Sequence, residues 1–115
     1  MGVLENQLFF LRIKIGRGTN KEMPQSLNGA IVPAYAVATD HQSAAKLVAS
    51  NLLSQGYELV GFEGNVIQLD PARWGEYVSH SWPEFKAHFP DESELGSLIE
   101  RGGHFYGPFA GFERA

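Results

Sequence analysis

The chain has 115 residues, 43% hydrophobic and 19% charged, with a formal charge of −4 and no cysteine. That length makes one domain able to bury a single core without staples, and the lack of cysteine excludes disulfides, thiolate metal sites and a cysteine nucleophile. The acidic balance argues against a nucleic-acid backbone as main partner, and no run approaches the ~18 apolar residues of a membrane-spanning helix.

Gln7 to Ile15 reads as a strand, because Phe9, Leu11, Ile13 and Ile15 alternate with Phe10, Arg12 and Lys14. Gly16–Gly29, poor in core-forming residues, reads as a long exposed loop. Ala30 to Ala38 is a second strand, in which Pro33 predicts an edge or a bulge because it has no ladder donor. Thr39 and Asp40 start a helix that runs to about Gln55, with Gln42 as a capping-box partner of Thr39. Its buried stripe is Ala44, Leu47, Val48 and Leu52, and Gly56 ends it.

Tyr57–Glu63 and Asn65–Leu69 read as two strands of a tight hairpin turned at Gly64-Asn65. Asp70 followed by Pro71 starts a short helix to about Val78. Trp82–His88 adds a turn or two. Pro90-Asp91 or Ser93 opens a further helix with Leu95, Leu98 and Ile99 on one face and Gly102 at its end. His104–Phe112 is the last strand, interrupted by Gly107-Pro108.

From residue 30 to residue 112 the order is strand, helix, strand, strand, helical region, strand. This is the split βαβ order of ferredoxin-like α+β folds. A mostly antiparallel sheet covered on one face by helices follows from it. The extra N-terminal strand is expected at a sheet edge, or paired with a second copy of the chain in a dimer.

Charge and aromatic residues gather late. Residues 58–100 carry nine carboxylates against Arg73 and Lys86, a formal charge of −7. Trp74, Tyr77, Trp82, Phe85, Phe89, Phe105, Tyr106, Phe109 and Phe112 all lie beyond residue 73. Helical spacing assigns Trp74, Tyr77 and Val78 to the core, and likewise Phe85 and Phe89. Trp82, Tyr106 and the glycine-flanked Phe109 are left as surface candidates.

No catalytic signature stands out. His80 and His88 lie eight apart and His104 is further on, a spacing that fits no metal pattern; ordinary surface histidines account for them. Asp70 with Glu76, or Glu58 with Glu63, are carboxylate pairs only if a cleft unites them. Ser79-His80-Ser81 lacks a nucleophile elbow. Gly16-Arg17-Gly18-Thr19-Asn20 lacks phosphate-loop spacing and reads as a flexible hairpin tip. No cofactor or metal is expected.

Two readings follow. The first is a non-enzymatic cytoplasmic binding protein that meets a basic protein partner, as an immunity-type inhibitor meets a cationic bacterial toxin. Its face would carry Glu76, Glu84 and Glu92 with Trp82, Tyr106, Phe109, His80 and His104, combining electrostatic steering with aromatic anchors. The second is a ferredoxin-like homodimer that binds a small molecule, as a sensor or modest enzyme, between Tyr57, Trp74, His80 and His104. A pocket where polar groups converge on an apolar floor separates the second from the first.

Overall fold

Two long apolar strands set the architecture. The computed structural model describes residues 5–20, 27–108 and 110–113. Strands β1 (Gln7–Gly16) and β2 (Leu27–Ala38) pair antiparallel from Gln7↔Ala38 to Ile15↔Ala30. Helix α1 (His41–Ser54) follows, then β3 (Glu58–Phe62), β4 (Ile67–Leu69), α2 (Trp74–Ser81), α3 (Glu92–Arg101), β5 (Gly103–Tyr106) and β6 (Ala110–Glu113). Short 3-10 turns, Pro71–Arg73 and Pro83–His88, flank α2. No helix among the described residues is long and apolar enough to cross a membrane.

The fold is α+β, and every strand pairing in its sheet is antiparallel. Strand β1 lies between β2 and β3 and is antiparallel to both, so β2 and β3 run parallel. The unit β2–α1–β3 is therefore a split βαβ. The N-terminal strand fills its gap instead of standing at an edge, which corrects that expectation. Both sides of β1 are paired within the chain, so residues 7–15 offer no free edge to a second copy. The reason lies in both faces of β1. Phe9, Leu11, Ile13 and Ile15 bury on one and Leu8 on the other, the pattern of a strand covered on both sides.

Ten residues of β1 need more partners than one short strand supplies. Strand β3 pairs with its C-terminal half, Gly16↔Glu58 to Ile13↔Phe62, with a register shift between Lys14 and Ile15. Strand β4 then continues in the same direction along Phe10↔Ile67 to Leu8↔Leu69. The expected hairpin between these segments is thus absent: the chain runs straight on through Gly64 (φ 77°) without reversing. Glu63 N–H donates to the Arg12 carbonyl at 2.9 Å and keeps the ladder going.

Strands β5 and β6 line the outer side of β2 in the same tandem way. The break between them, at Gly107-Pro108, is the one expected from sequence. Pro33 sits opposite this break, in an inner strand and not at an edge. Its carbonyl accepts from Gly107 N–H at 2.8 Å. A Cβ on Gly107 would meet Pro33 Cγ at 3.0 Å and Phe89 Cζ at 3.3 Å, so this close approach favours glycine.

Helices cover both faces, not one. Ala44, Val48 and Leu52 of α1 pack on Phe9, Leu11, Ile13, Val32 and Ala34. Trp74, Val78, Phe89 and Leu95 pack on Leu8, Tyr35 and Val37 from the other side. Alternation along β2 explains the two clusters, since Ala34 and Ala36 face α1 while Tyr35 and Val37 face away. The caps follow local chemistry. At α1 the cap is Asp40 and not the expected Thr39–Gln42 box: Asp40 accepts from Ser43 N–H at 2.7 Å, which holds its carboxyl below the usual range. Asp91 and Glu94 form a capping box on α3.

The Gly16–Gly29 loop is shorter than expected, because β2 begins at Leu27. Residues 17–20 are docked on the end of α1: Thr19 N–H donates to Gly56 O at 2.8 Å and Asn20 Nδ2 to Gln55 O at 2.7 Å. Residues 21–26 lie outside the described residues.

Candidate functional site

On the second sheet face, α2 and the Pro83–His88 turn cover only the end around Leu8, Tyr35 and Val37. Further along the same face, the pairs Phe10↔Tyr35, Arg12↔Pro33 and Lys14↔Ile31 continue the sheet. There Phe10, Arg12, Ile31 and Pro33 form the floor of a cavity of about 690 Å³. Ile67 and Leu69 of β4 wall one side, and Pro108, at the β5–β6 break, contributes to the lining. Tyr77, Ser81, Trp82 and Phe85 complete it. Such a volume with a mostly apolar lining is the size of small-ligand sites.

The cavity exists because α2 stops early. Trp82 leaves the helical region (φ −135°, ψ 51°) and Pro83 follows, so the chain turns off the sheet instead of continuing over it. Three side chains hold that turn. Trp82 Nε1 donates to Tyr35 Oη at 2.8 Å, and Tyr35 Oη bonds Tyr77 Oη at 2.6 Å. Burial, with Tyr77 alongside, pushes the Tyr35 phenol far above its ordinary pKa. Phe10 lies 5.1 Å from the Tyr35 ring and Trp82 lies 6.1 Å from Phe85. The network ties Tyr35, Tyr77 and Trp82 into one wall, while Phe85 is 44% exposed at the rim.

Phe85 thus departs from its expected core position, while Phe89, four residues on, is buried. The reason is local: Pro83–His88 is a 3-10 turn with a non-helical kink at Phe85, so a spacing of four does not align the rings. Trp82 is half-buried and its indole N–H is used internally, unlike a free surface anchor.

The other sequence candidates are spread over the molecule. Glu76 and His80 line a separate depression of about 480 Å³ with Asp70, Arg73 and Trp74. The pair Asp70 and Glu76 does face one cleft, but both groups are engaged. Asp70 accepts from Ala72 N–H at 3.0 Å, and Glu76 pairs with Arg73 Nε at 3.0 Å. Glu92 lines a third hollow with Lys86, and Glu84 is exposed on the turn before it. Tyr106 belongs to the α1 face, where its hydroxyl donates to Asn51 Oδ1 at 2.6 Å. His104 sits 5.4 Å from the Tyr106 ring, and burial lowers its pKa. Phe109 lies outside the described residues.

Tyr57 packs with α1 and Trp74 with α2 on opposite sheet faces, so Tyr57, Trp74, His80 and His104 do not converge on one pocket. His80 and His88 are on different elements. Among the described residues no three of His, Asp and Glu gather as metal ligands. Apart from Trp82, no residue lining the cavity was among the binding candidates read from the sequence, and Tyr77 and Phe85 had been assigned to the core. The available signal was the second face of β1, where Phe10 and Arg12 are two apart.

Burial pushes the Tyr106 phenol from 10.0 up to about 12. The folded state keeps this proton after the unfolded chain has lost it, so stability is complete below pH 10 and falls as pH rises toward 12. Urea denaturation at both ends of that window should show the fall, and Tyr106→Phe should reduce it. An unchanged fall in the variant would assign the effect to other groups, with buried Tyr35 the first of them.

Comparison with protein-family models, with curated proteins and with solved structures finds no match for this chain.

Proposed function

We propose that the chain is a small-molecule binding domain whose site is the aromatic groove between the second sheet face and the end of α2. One observation carries the reading: an apolar cavity of about 690 Å³ into which Arg12, Tyr77 and Ser81 bring polar groups. Ligand sites combine an apolar floor with a few placed polar groups in this way. The Tyr35–Tyr77–Trp82 network supports it further, since a pre-formed wall spares the ordering cost of binding. Binding without turnover, as in a sensor or carrier, suits a lining that has no His, Asp, Glu or Lys among the described residues.

Titration with neutral aromatic and aliphatic fragments, followed by nuclear magnetic resonance, tests the reading. Signals of Phe10, Tyr77 and the Trp82 indole N–H should move together. Ile67→Asp, at an exposed wall position, should weaken binding by roughly tenfold, because it brings an unpaired charge against the apolar ligand. Shifts confined to other parts of the fold would sink the proposal.

A second reading, a basic protein partner, draws support from Glu84, which is exposed and next in sequence to the exposed Phe85. Salt-sensitive capture of a basic protein that is lost on Glu84→Gln would favour it.

A further inference from the structure

We infer that the groove selects an amphipathic monocarboxylate, an apolar aromatic or aliphatic body bearing one carboxylate, and that Arg12 anchors the acid. The inference rests on the ligand-binding reading above and names its ligand class.

Arg12 is the only charged residue among the described residues lining the cavity. Its side chain is exposed, and among the described residues no hydrogen bond or ion pair engages the guanidinium. A cation at the edge of an apolar groove, with no carboxylate among the described lining residues to neutralise it, disfavours cationic ligands and favours anionic ones. Charge complementarity therefore decides the occupant.

The anchor is also well held. Arg12 lies in the middle of the central strand, paired with Pro33 on one side, and its carbonyl accepts from Glu63 N–H on the other. One of its terminal nitrogens lies 3.6 Å from the place a Cβ on Gly64 would take, at the break between β3 and β4. The guanidinium thus sits at the outer rim, while the aromatic wall of Trp82 and Phe85 also lines the cavity. A ligand with its charge at one end and an apolar body matches that layout. The planar guanidinium fork suits the two oxygens of a carboxylate. A single cation balances one negative charge, which favours a monoanion over a doubly charged phosphate.

The test compares naphthoate with its uncharged counterpart naphthylmethanol by calorimetry on the whole chain. Naphthoate should bind wild-type protein roughly tenfold or more tightly, as expected for a charge-assisted hydrogen bond. Arg12→Ala should abolish that preference by weakening naphthoate far more than naphthylmethanol, and Arg12→Lys should restore part of it. High salt should weaken naphthoate alone. A thermal melt of each variant shows that the fold is retained. Equal binding of the two probes by wild type, or equal loss of both in Arg12→Ala, overturns the anchor while the groove reading stands. Binding of neither probe overturns the groove reading along with it.

Discussion

Trp74→Ala is expected to lower the unfolding free energy by about 3–5 kcal/mol, the range for truncating a buried tryptophan. For a domain of this size that is a large part of the total stability, and the melting temperature should fall by on the order of 15 °C. Trp74 is 2% exposed and joins three layers of the second core. Its ring meets Tyr35 at 5.6 Å on the sheet, Phe105 at 5.9 Å on β5 and Phe89 at 6.1 Å on the segment before α3. Its Nε1 donates to Pro90 O at 2.8 Å, which ties α2 to the start of α3. Alanine would leave a cavity among rings that are held by separate elements and have little freedom to collapse into it. Trp74→Phe keeps most of the contacts but strands the Pro90 carbonyl, so its loss should be about 1–3 kcal/mol. Urea denaturation measures both. A loss below about 1 kcal/mol for the alanine variant would contradict the central place given to this ring.

Tyr35→Phe should cost about 1–3 kcal/mol although it removes a single oxygen. That oxygen is the acceptor for Trp82 Nε1 and the partner of Tyr77 Oη, and Tyr35 is fully buried. Its loss leaves two polar groups without their partner beside the groove. The stability loss should come with weaker fragment binding and a shift in Trp82 fluorescence, because the wall is no longer pinned. Tyr77→Phe should cost less, since Tyr77 is half-buried and water can reach it. In a double-mutant cycle, Tyr35→Phe and Trp82→Phe should fall short of additivity by about 0.5–3 kcal/mol. Strict additivity would show that the hydrogen bond is not coupled to the wall.

The apolar alternation of residues 7–15 and 30–38, the helix caps and the glycine stops were legible in the sequence because each depends on near neighbours. Asp40, Asp91, Gly56 and Gly102 act within a few residues of themselves. The interruption at Gly107-Pro108 was legible for the same reason. The hairpin reading at Gly64-Asn65 failed because a turn-forming pair marks a break in a strand but not the direction the chain takes after it. That direction is set by β1, which is long enough to need both β3 and β4 on one side.

The candidate site was less legible. Trp82 was named from its place before Pro83, but its burial depends on Tyr35, 47 positions earlier. Phe10 and Arg12 read as the minor face of a strand expected at an edge. They became groove floor and rim only because β1 is central and its second face is partly covered. The acidic character of residues 58–100 follows from composition, yet Glu76, Glu84 and Glu92 come to lie on three different segments.

The sequence by itself determined the α+β class, the split βαβ order and most element ends, since hydrophobic period and capping chemistry are local properties. Only the tertiary structure decided that the N-terminal strand is central, that helices lie on both faces and that an open groove remains beside Trp82. Those outcomes depend on which long-range surfaces bury one another, and two strands of alternating apolar residues leave several such pairings open until the whole chain has packed.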